Sequence, residues 1–399
     1  MKNIVLINSS LQGHHLSFIR TFSKVLLDQG HSVYCIVPEP ERILEWIEEN
    51  CPITSNNFKG YNYFIKLKSF KFGRFGQTFE KLSRWRKEAA LINRVESSNK
   101  IKIDLVFYAW LDYQLATFIP GFILDSLFPY KWSGLYFHPY HLRKTDLFIN
   151  RSANWRDYDS VFLSGNCVAI AVHDQSIIKK FSKRIGKPVI HFPETADDSY
   201  PDYSNEHYIK IRQNANGRIV IGMIGCEKHK GTLTMMRLAK IADSGKYFFA
   251  FLGILPNETY TDEEWSEIQD FIHSGRENCY FFFKPIPEGA AYNAVFCAFD
   301  IPFLIYSNFI SSSNRLTKAA IFKKLVLASD NYCIGDDVGY YKLGETVQPE
   351  NYTSALHALE KLAEKINNKD YPVKEWEKYT WINSEDILKD RFKEIIDLI

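Results

Sequence analysis

No two of the cysteines Cys35, Cys51, Cys167, Cys226, Cys279, Cys297 and Cys333 stand at C-x-x-C spacing, which argues against a zinc site. An odd, scattered set of this kind reads as reduced thiols in a cytosolic compartment. Net charge is also small: Lys+Arg 49 against Asp+Glu 47 leaves +2, so the globally basic surface of a dedicated nucleic-acid binder is excluded and no nucleic acid is expected as a partner. Long apolar runs are missing. After Met1-Lys2-Asn3 come four apolar residues (4–7), short of a secretory signal, and the later stretch 115–129 is too short and, with Thr117, Asp125 and Ser126, too polar to span a bilayer. A soluble or peripheral cytoplasmic protein is expected. The sequence carries no G-x-S-x-G elbow, complete P-loop or H-E-x-x-H motif, and no repeat of roughly 20–50 residues. Aromatics, in contrast, are abundant. With 30 Phe, 23 Tyr and 8 Trp in 399 residues, disorder is excluded and the length suggests two or three domains.

Residues 4–7 (Ile-Val-Leu-Ile) read as a buried parallel strand ending in a polar turn that contains Gly13. Residues 16–29 place Phe18, Ile19, Phe22, Val25 and Leu26 on one helical face, with Gly30 as the stop. Residues 31–38 return as a strand, completing a βαβ unit. Residues 104–108, 132–137 and 168–172 continue the sheet. The pattern restarts at the strand 218–224, followed by a helix over 232–243 and strands at 247–252, 280–283, 301–306 and 325–328. This alternation predicts two doubly wound α/β domains facing a cleft: an N-terminal domain over 1–190, a linker over 191–203 rich in proline and acid, a C-terminal domain over 204–380, and a last helix within 381–399 that packs back on the first domain.

Three stretches carry a family resemblance. Gly13-His14-His15 opens a helix that ends at Gly30-His31-Ser32-Val33. Ala169-Ile170-Ala171-Val172-His173-Asp174 leads to Pro193-Glu194-Thr195-Ala196-Asp197. Residues 221–231 and then 314–330 supply a glycine- and lysine-bearing loop and a later helix. In this order and spacing they resemble the family 4 retaining glycosyltransferases, across nearly the whole chain. The resemblance implies the GT-B fold, two Rossmann-like domains, and transfer of a sugar from a nucleotide diphosphate sugar without a metal or other cofactor. It implies as acceptor a glycan or lipid-linked glycan of surface polysaccharide assembly. Where the family has an arginine after the loop glycine this chain has Cys226, and where it has two glutamates it has Ile310 and Lys318. Those departures leave open a catalytically silent module that binds a nucleotide sugar or a partner.

The donor loop can also be argued from its residues. A strand ending at Gly225 and a helix beginning near Thr232 offer free backbone N–H groups and a positive dipole end to a diphosphate, and Lys228 and Lys230 add charge that would stabilise it as a leaving group. Lys228 is the expected substitute for the missing arginine. Ser311, Ser312, Ser313 and Asn314 form a capping run before a helix on which Arg315 and Lys318 share a face at i, i+3, pointing toward the same phosphates. Ile286 and Glu288 fall where the resemblance places base recognition by backbone groups. In the N-terminal half His138, just past a strand, is the expected contact to the donor sugar; Gly13, His14 and His15 are expected on the acceptor side. Asp157-x-Asp159 has D-x-D spacing but lacks a preceding apolar strand, so it is read as non-metal. Residues 58–94 hold ten basic residues against Glu80 and Glu88, interleaved with aromatics such as Tyr61, Phe64, Phe79 and Trp85. This basic, aromatic insert suits an anionic membrane surface.

Overall fold

Of the first seven strands all but the edge strand are short, rich in β-branched and aromatic residues and largely buried, the composition that a parallel sheet covered by helices requires. They are β1 (Asn3–Ile7), β2 (Ser32–Val37), β3 (Phe58–Asn62), β4 (Leu105–Tyr108), β5 (Trp132–Leu135), β6 (Cys167–Val172) and β7 (Val189–His191). They pair all-parallel in the order β3-β2-β1-β4-β5-β6-β7. Six more follow: β8 (Ile219–Ile224), β9 (Tyr247–Leu252), β10 (Cys279–Phe282), β11 (Ile301–Leu304), β12 (Val326–Ser329) and β13 (Gly344–Val347), ordered β10-β9-β8-β11-β12-β13 and again parallel. This computed structural model describes residues 1–65, 73–143 and 151–399. The side chains of His14, Arg74 and Phe75 lie outside the described residues, as do Lys66, Lys68, Phe70, Lys71 and Phe72 of the basic stretch.

The chain divides into two compact units, Met1–Pro193 with Glu385–Ile399, and Glu194–Ser384. In the first, alternate residues of β1 feed opposite faces, as the strand period of two dictates. Ile4 and Leu6 join a core with Phe18, Phe22 and Ile43; Val5 and Ile7 join another with Trp85, Ile92 and Phe181. The last helix, Glu385–Ile396, belongs to this unit: Phe392 packs on Phe22, Phe107 and Phe192, with ring centroids 5.3, 4.9 and 5.1 Å apart. No separate linker stands between the units. Residues from Glu194 onward are already bound into the second, where Thr317 donates to the Glu194 carbonyl at 2.8 Å and the Asn293 amide bonds the Asp197 carboxylate at 2.8 Å.

The basic, aromatic stretch departs from the expected insert. Residues 58–62 are the edge strand β3, and Gly73–Asn99 is one long helix. Trp85 is fully buried against Tyr108, Phe128 and Trp132, and the buried Glu88 carboxylate accepts from Tyr63 at 2.7 Å, Tyr108 at 2.9 Å and Gln114 at 3.0 Å. Two of its conspicuous residues are therefore core. Phe64 and Phe79 stay exposed, and a groove of about 670 Å³ is lined by Tyr63, Phe64, Ile65, Lys87, Leu91 and Arg94 among others. No helix among the described residues is long and apolar enough to cross a membrane. Both carboxylates of Asp157-x-Asp159 are held by arginine: Arg184 reaches Asp159 at 2.6 Å and Asp157 at 3.0 Å, and Arg151 reaches Asp157 at 2.6 Å.

The first unit carries its own acid sensitivity. Burial pushes His173 down to about 3, and His15 and His191 down to about 4, so all three are neutral in the folded protein near pH 7. Below about pH 6.5 the unfolded chain binds protons that the folded unit refuses, so stability is present above that pH and is lost as pH falls toward 4. The expected loss at pH 4 is about 3 kcal/mol from His173 alone, read as a falling thermal midpoint between pH 7 and 4. A flat midpoint over that range would contradict the neutral-histidine core.

Candidate functional site

In each sheet the strand order reverses once, at β1/β4 in the first and at β8/β11 in the second, and ligands of open parallel sheets bind beyond the carboxyl ends of strands at such points. The buried run Ile219–Ile224 drives β8 through the second unit. Gly225 then turns the chain with φ of 81°, its N–H donating to the Leu252 carbonyl at 2.6 Å. One tight turn, Lys228–Lys230, leads to Gly231 (φ 77°) and the helix Thr232–Ile241. The loop is braced from outside: Ser307 N–H donates to the His229 carbonyl at 2.7 Å, and the Tyr260 hydroxyl donates to the Cys226 carbonyl at 2.6 Å. Helix geometry leaves the N–H groups of the first turn, from Thr232, without intrahelical acceptors.

Three charged groups meet over Gly225. A side-chain carbon built there would lie 2.7 Å from Lys230 Nζ, 2.8 Å from Glu227 Oε2 and 3.3 Å from Arg315 Nη2. Lys230 pairs with Glu227 at 2.7 Å. Arg315 comes from the helix Asn314–Ile321; its Nε donates to Tyr292 Oη at 3.2 Å and its Nη1 to Tyr306 Oη at 2.8 Å, with no carboxylate in ion-pair reach among the described residues. Burial, then the neighbouring Arg315, pushes the Lys230 ammonium down to about 8. Burial works against ionising Glu227, but Lys230 outweighs it and holds the carboxyl below its usual range.

Several expected residues fall elsewhere. Lys228 does not replace the missing arginine: its ammonium pairs with Glu264 at 2.7 Å on the surface, and the guanidinium of Arg315 comes to Gly225 instead. Cys226 is fully buried, its thiol against the Leu252 carbonyl, so an arginine there would meet core. Lys318 does not face the loop with Arg315. Its ammonium is consumed by Asn293 Oδ1 and by the Asp197 carbonyl at 2.5 Å, and burial pushes it down to about 8. Ser313 holds the N-cap position without a side-chain capping bond, and Ser311, Ser312 and Ser313 are all buried. Ile286 packs on the core beyond β10, and Glu288 is exposed in the same loop. Glu227, Tyr292 and Tyr306 were not singled out from the sequence. Glu227 could have been found by its i, i+3 spacing to Lys230; nothing local marks the tyrosines.

The first unit gathers a second cluster beyond β1, β4 and β5. The Asp112 carboxylate accepts from the backbone N–H of Phe137 and of His138, both at 2.9 Å, and from His138 Nδ1 at 3.1 Å. In that contact Nδ1–H is the donor, and Nε2 takes no part in it. His15 bonds Asn8 at 3.1 Å and lies against Trp110, ring centroids 4.1 Å apart, while Trp110 lies 5.6 Å from His138. Gly13 precedes the helix with φ of 56°, and His14 begins it.

A scan of protein-family models finds no match to this chain, and neither does a search of curated proteins. Solved structures do match over the whole length. A glycosyltransferase from Rickettsia africae is 14% identical, with TM-score 0.64 over 99% of this chain and 97% of that one. Sucrose-phosphate synthase from Thermosynechococcus elongatus is 14% identical, with TM-score 0.66 over 100% and 98%. Anabaena HepE in complex with UDP is 12% identical, with TM-score 0.65 over 100% of both chains. At these identities the likeness establishes the fold, which is GT-B: two Rossmann-like α/β units in one chain.

Proposed function

We propose that the protein is a glycosyltransferase that moves a sugar from a nucleotide diphosphate sugar to an acceptor hydroxyl. The observation that carries this reading is the convergence of Lys230 and Arg315 over Gly225, at the switch point of the second sheet. In the reaction the bond between the anomeric carbon and the diphosphate oxygen breaks, and its electron pair leaves with the nucleoside diphosphate. Lys230, Arg315 and the N–H groups of the first turn from Thr232 neutralise that charge, so the step needs no metal or cofactor. The acceptor oxygen bonds to the anomeric carbon and its proton passes to the departing phosphate. His138, held by Asp112, offers Nε2 to a sugar hydroxyl, and Gly13 and His15 are assigned to the acceptor side. Likeness to UDP-binding HepE favours a uridine nucleotide as donor. Resemblance to family 4 favours retention at the anomeric carbon, and a glycan or lipid-linked glycan acceptor in surface polysaccharide assembly. The exposed Phe64, which lines one groove with Lys87 and Arg94, suits docking at the cytoplasmic face of an anionic membrane.

The internal engagement of Lys318, where the resembled family carries a glutamate, favours a second reading, a module that binds the nucleotide without turnover. A thermal-shift panel of UDP, GDP, dTDP and ADP separates the possibilities when followed by incubation with labelled donor. One nucleotide at 100 times its dissociation constant is expected to stabilise the protein by about 2.7 kcal/mol, and labelled product to appear with a glycan acceptor. A shift without product supports the module; no shift with any nucleotide ends the donor-site assignment.

A further inference from the structure

The Lys230–Glu227 pair sits where the proposed diphosphate would bind. Both residues belong to one seven-residue loop, 225–231, three positions apart, so their contact follows from the turn itself. The three side chains that come nearest to Gly225 are two cations, Lys230 and Arg315, and one anion, Glu227. Arg315 is steadied by two tyrosine hydroxyls, which orient it without neutralising it. Lys230 is different: its charge is already matched by a carboxylate at 2.7 Å, and a phosphate oxygen reaching that ammonium must meet or displace Glu227. The other acid nearby, Glu264, is occupied by Lys228. A single carbon at Gly225 would already crowd Lys230 Nζ and Glu227 Oε2, at 2.7 and 2.8 Å, so an anion reaching this point requires the pair to part.

We infer that Glu227 is an internal competitor for Lys230, a carboxylate that holds the lysine in place and charged and that a diphosphate must displace to bind. This rests on the reading of the loop as the diphosphate site. Glu227 thereby sets affinity: it opposes weakly charged anions, which cannot outbid it, and yields to a diphosphate, which engages Lys230 and Arg315 together. It also promotes release, because the carboxylate returns to Lys230 as the product departs.

The test measures binding of inorganic pyrophosphate and of UDP by calorimetry to the full chain, as wild type, Glu227→Gln and Lys230→Ala, at pH 6.5. Glu227→Gln is expected to bind pyrophosphate about tenfold more tightly than wild type, since a negative charge a few ångströms from the ligand is gone. Its affinity is also expected to fall at a lower pH than that of wild type, because the lysine loses the carboxylate that keeps it protonated. Glu227→Ala is the second variant, expected to change in the same direction, and guards against a folding defect peculiar to glutamine. Equal or weaker binding by both Glu227 variants, with binding lost in Lys230→Ala, overturns the competitor and leaves the donor site standing. Unchanged binding in Lys230→Ala, or none in wild type, overturns the donor site and the competitor with it.

Discussion

Replacing Lys230 with alanine is expected to weaken binding of the preferred nucleoside diphosphate by about 100-fold and to lower the transfer rate by roughly 1,000-fold. Two effects add. The charge-assisted bond to phosphate is lost, and Glu227 is left half-buried without its partner, facing the incoming anion. Lys228→Ala is the control. Its ammonium pairs with Glu264 at the surface, where such pairs contribute at most about 1 kcal/mol, so affinity is expected to stay within about twofold. The pH dependence has a definite sign. Because burial and Arg315 push Lys230 down to about 8, affinity holds below that pH and declines as pH rises through it. Calorimetry of both variants, and of wild type from pH 6.5 to 9.5, measures all three. Equal losses in Lys228→Ala and Lys230→Ala would mean that the loop binds anions only through its overall charge.

The second large effect is expected at Gly231. With φ of 77°, this residue occupies backbone space that side chains rarely adopt, and an added carbon would lie 2.2 Å from the Ile305 carbonyl oxygen beyond β11. Contact that close forces the loop away from the strand end, which separates Lys230 from the turn that carries Tyr306 and so from Arg315. Gly231→Ala is expected to destabilise the second unit by about 3 kcal/mol, lower its thermal midpoint by several degrees and abolish nucleotide binding. Gly217 separates strain from collision. Its φ is 84° but nothing lies within 4 Å of an added carbon, so Gly217→Ala is expected to cost about 1 kcal/mol with nucleotide binding unchanged. Retained nucleotide affinity in Gly231→Ala would show that the close packing of this loop on β11 is irrelevant to the site.

Much of the fold is legible because buried parallel strands advertise themselves: 4–7, 219–224 and 247–252 are apolar runs with few readings other than sheet interior. The strands that escape notice are those whose burial is incomplete or whose length is short. β3 contains Lys59 and Gly60, β7 has three residues, and β13 begins Gly-Glu-Thr. Trp85 and Glu88 mislead for another reason. On a helix dense in lysine and arginine they read as part of a surface stripe, whereas Glu88 is the buried acceptor for three donors, Tyr63, Tyr108 and Gln114. At the candidate site, chain-local features are visible (the two glycines, Lys230, the position of His138), but which cation turns inward is not. Arg315 and Lys318 share a helical face by spacing, and the choice between them is made by residues distant in sequence: Tyr292 and Tyr306 hold one, Asn293 and Asp197 the other. The Asp112–His138 contact joins residues 26 apart and is set by how β4 and β5 end side by side.

The last helix has a bearing on how the chain is made. Leu388, Phe392, Ile395 and Ile396 complete the core that Phe22, Phe107 and Phe192 begin, yet they are synthesised after the whole of the second unit. A growing polypeptide must therefore keep an aromatic wound open on its first half while the ribosome finishes the second, and the half that starts first is the one that closes last.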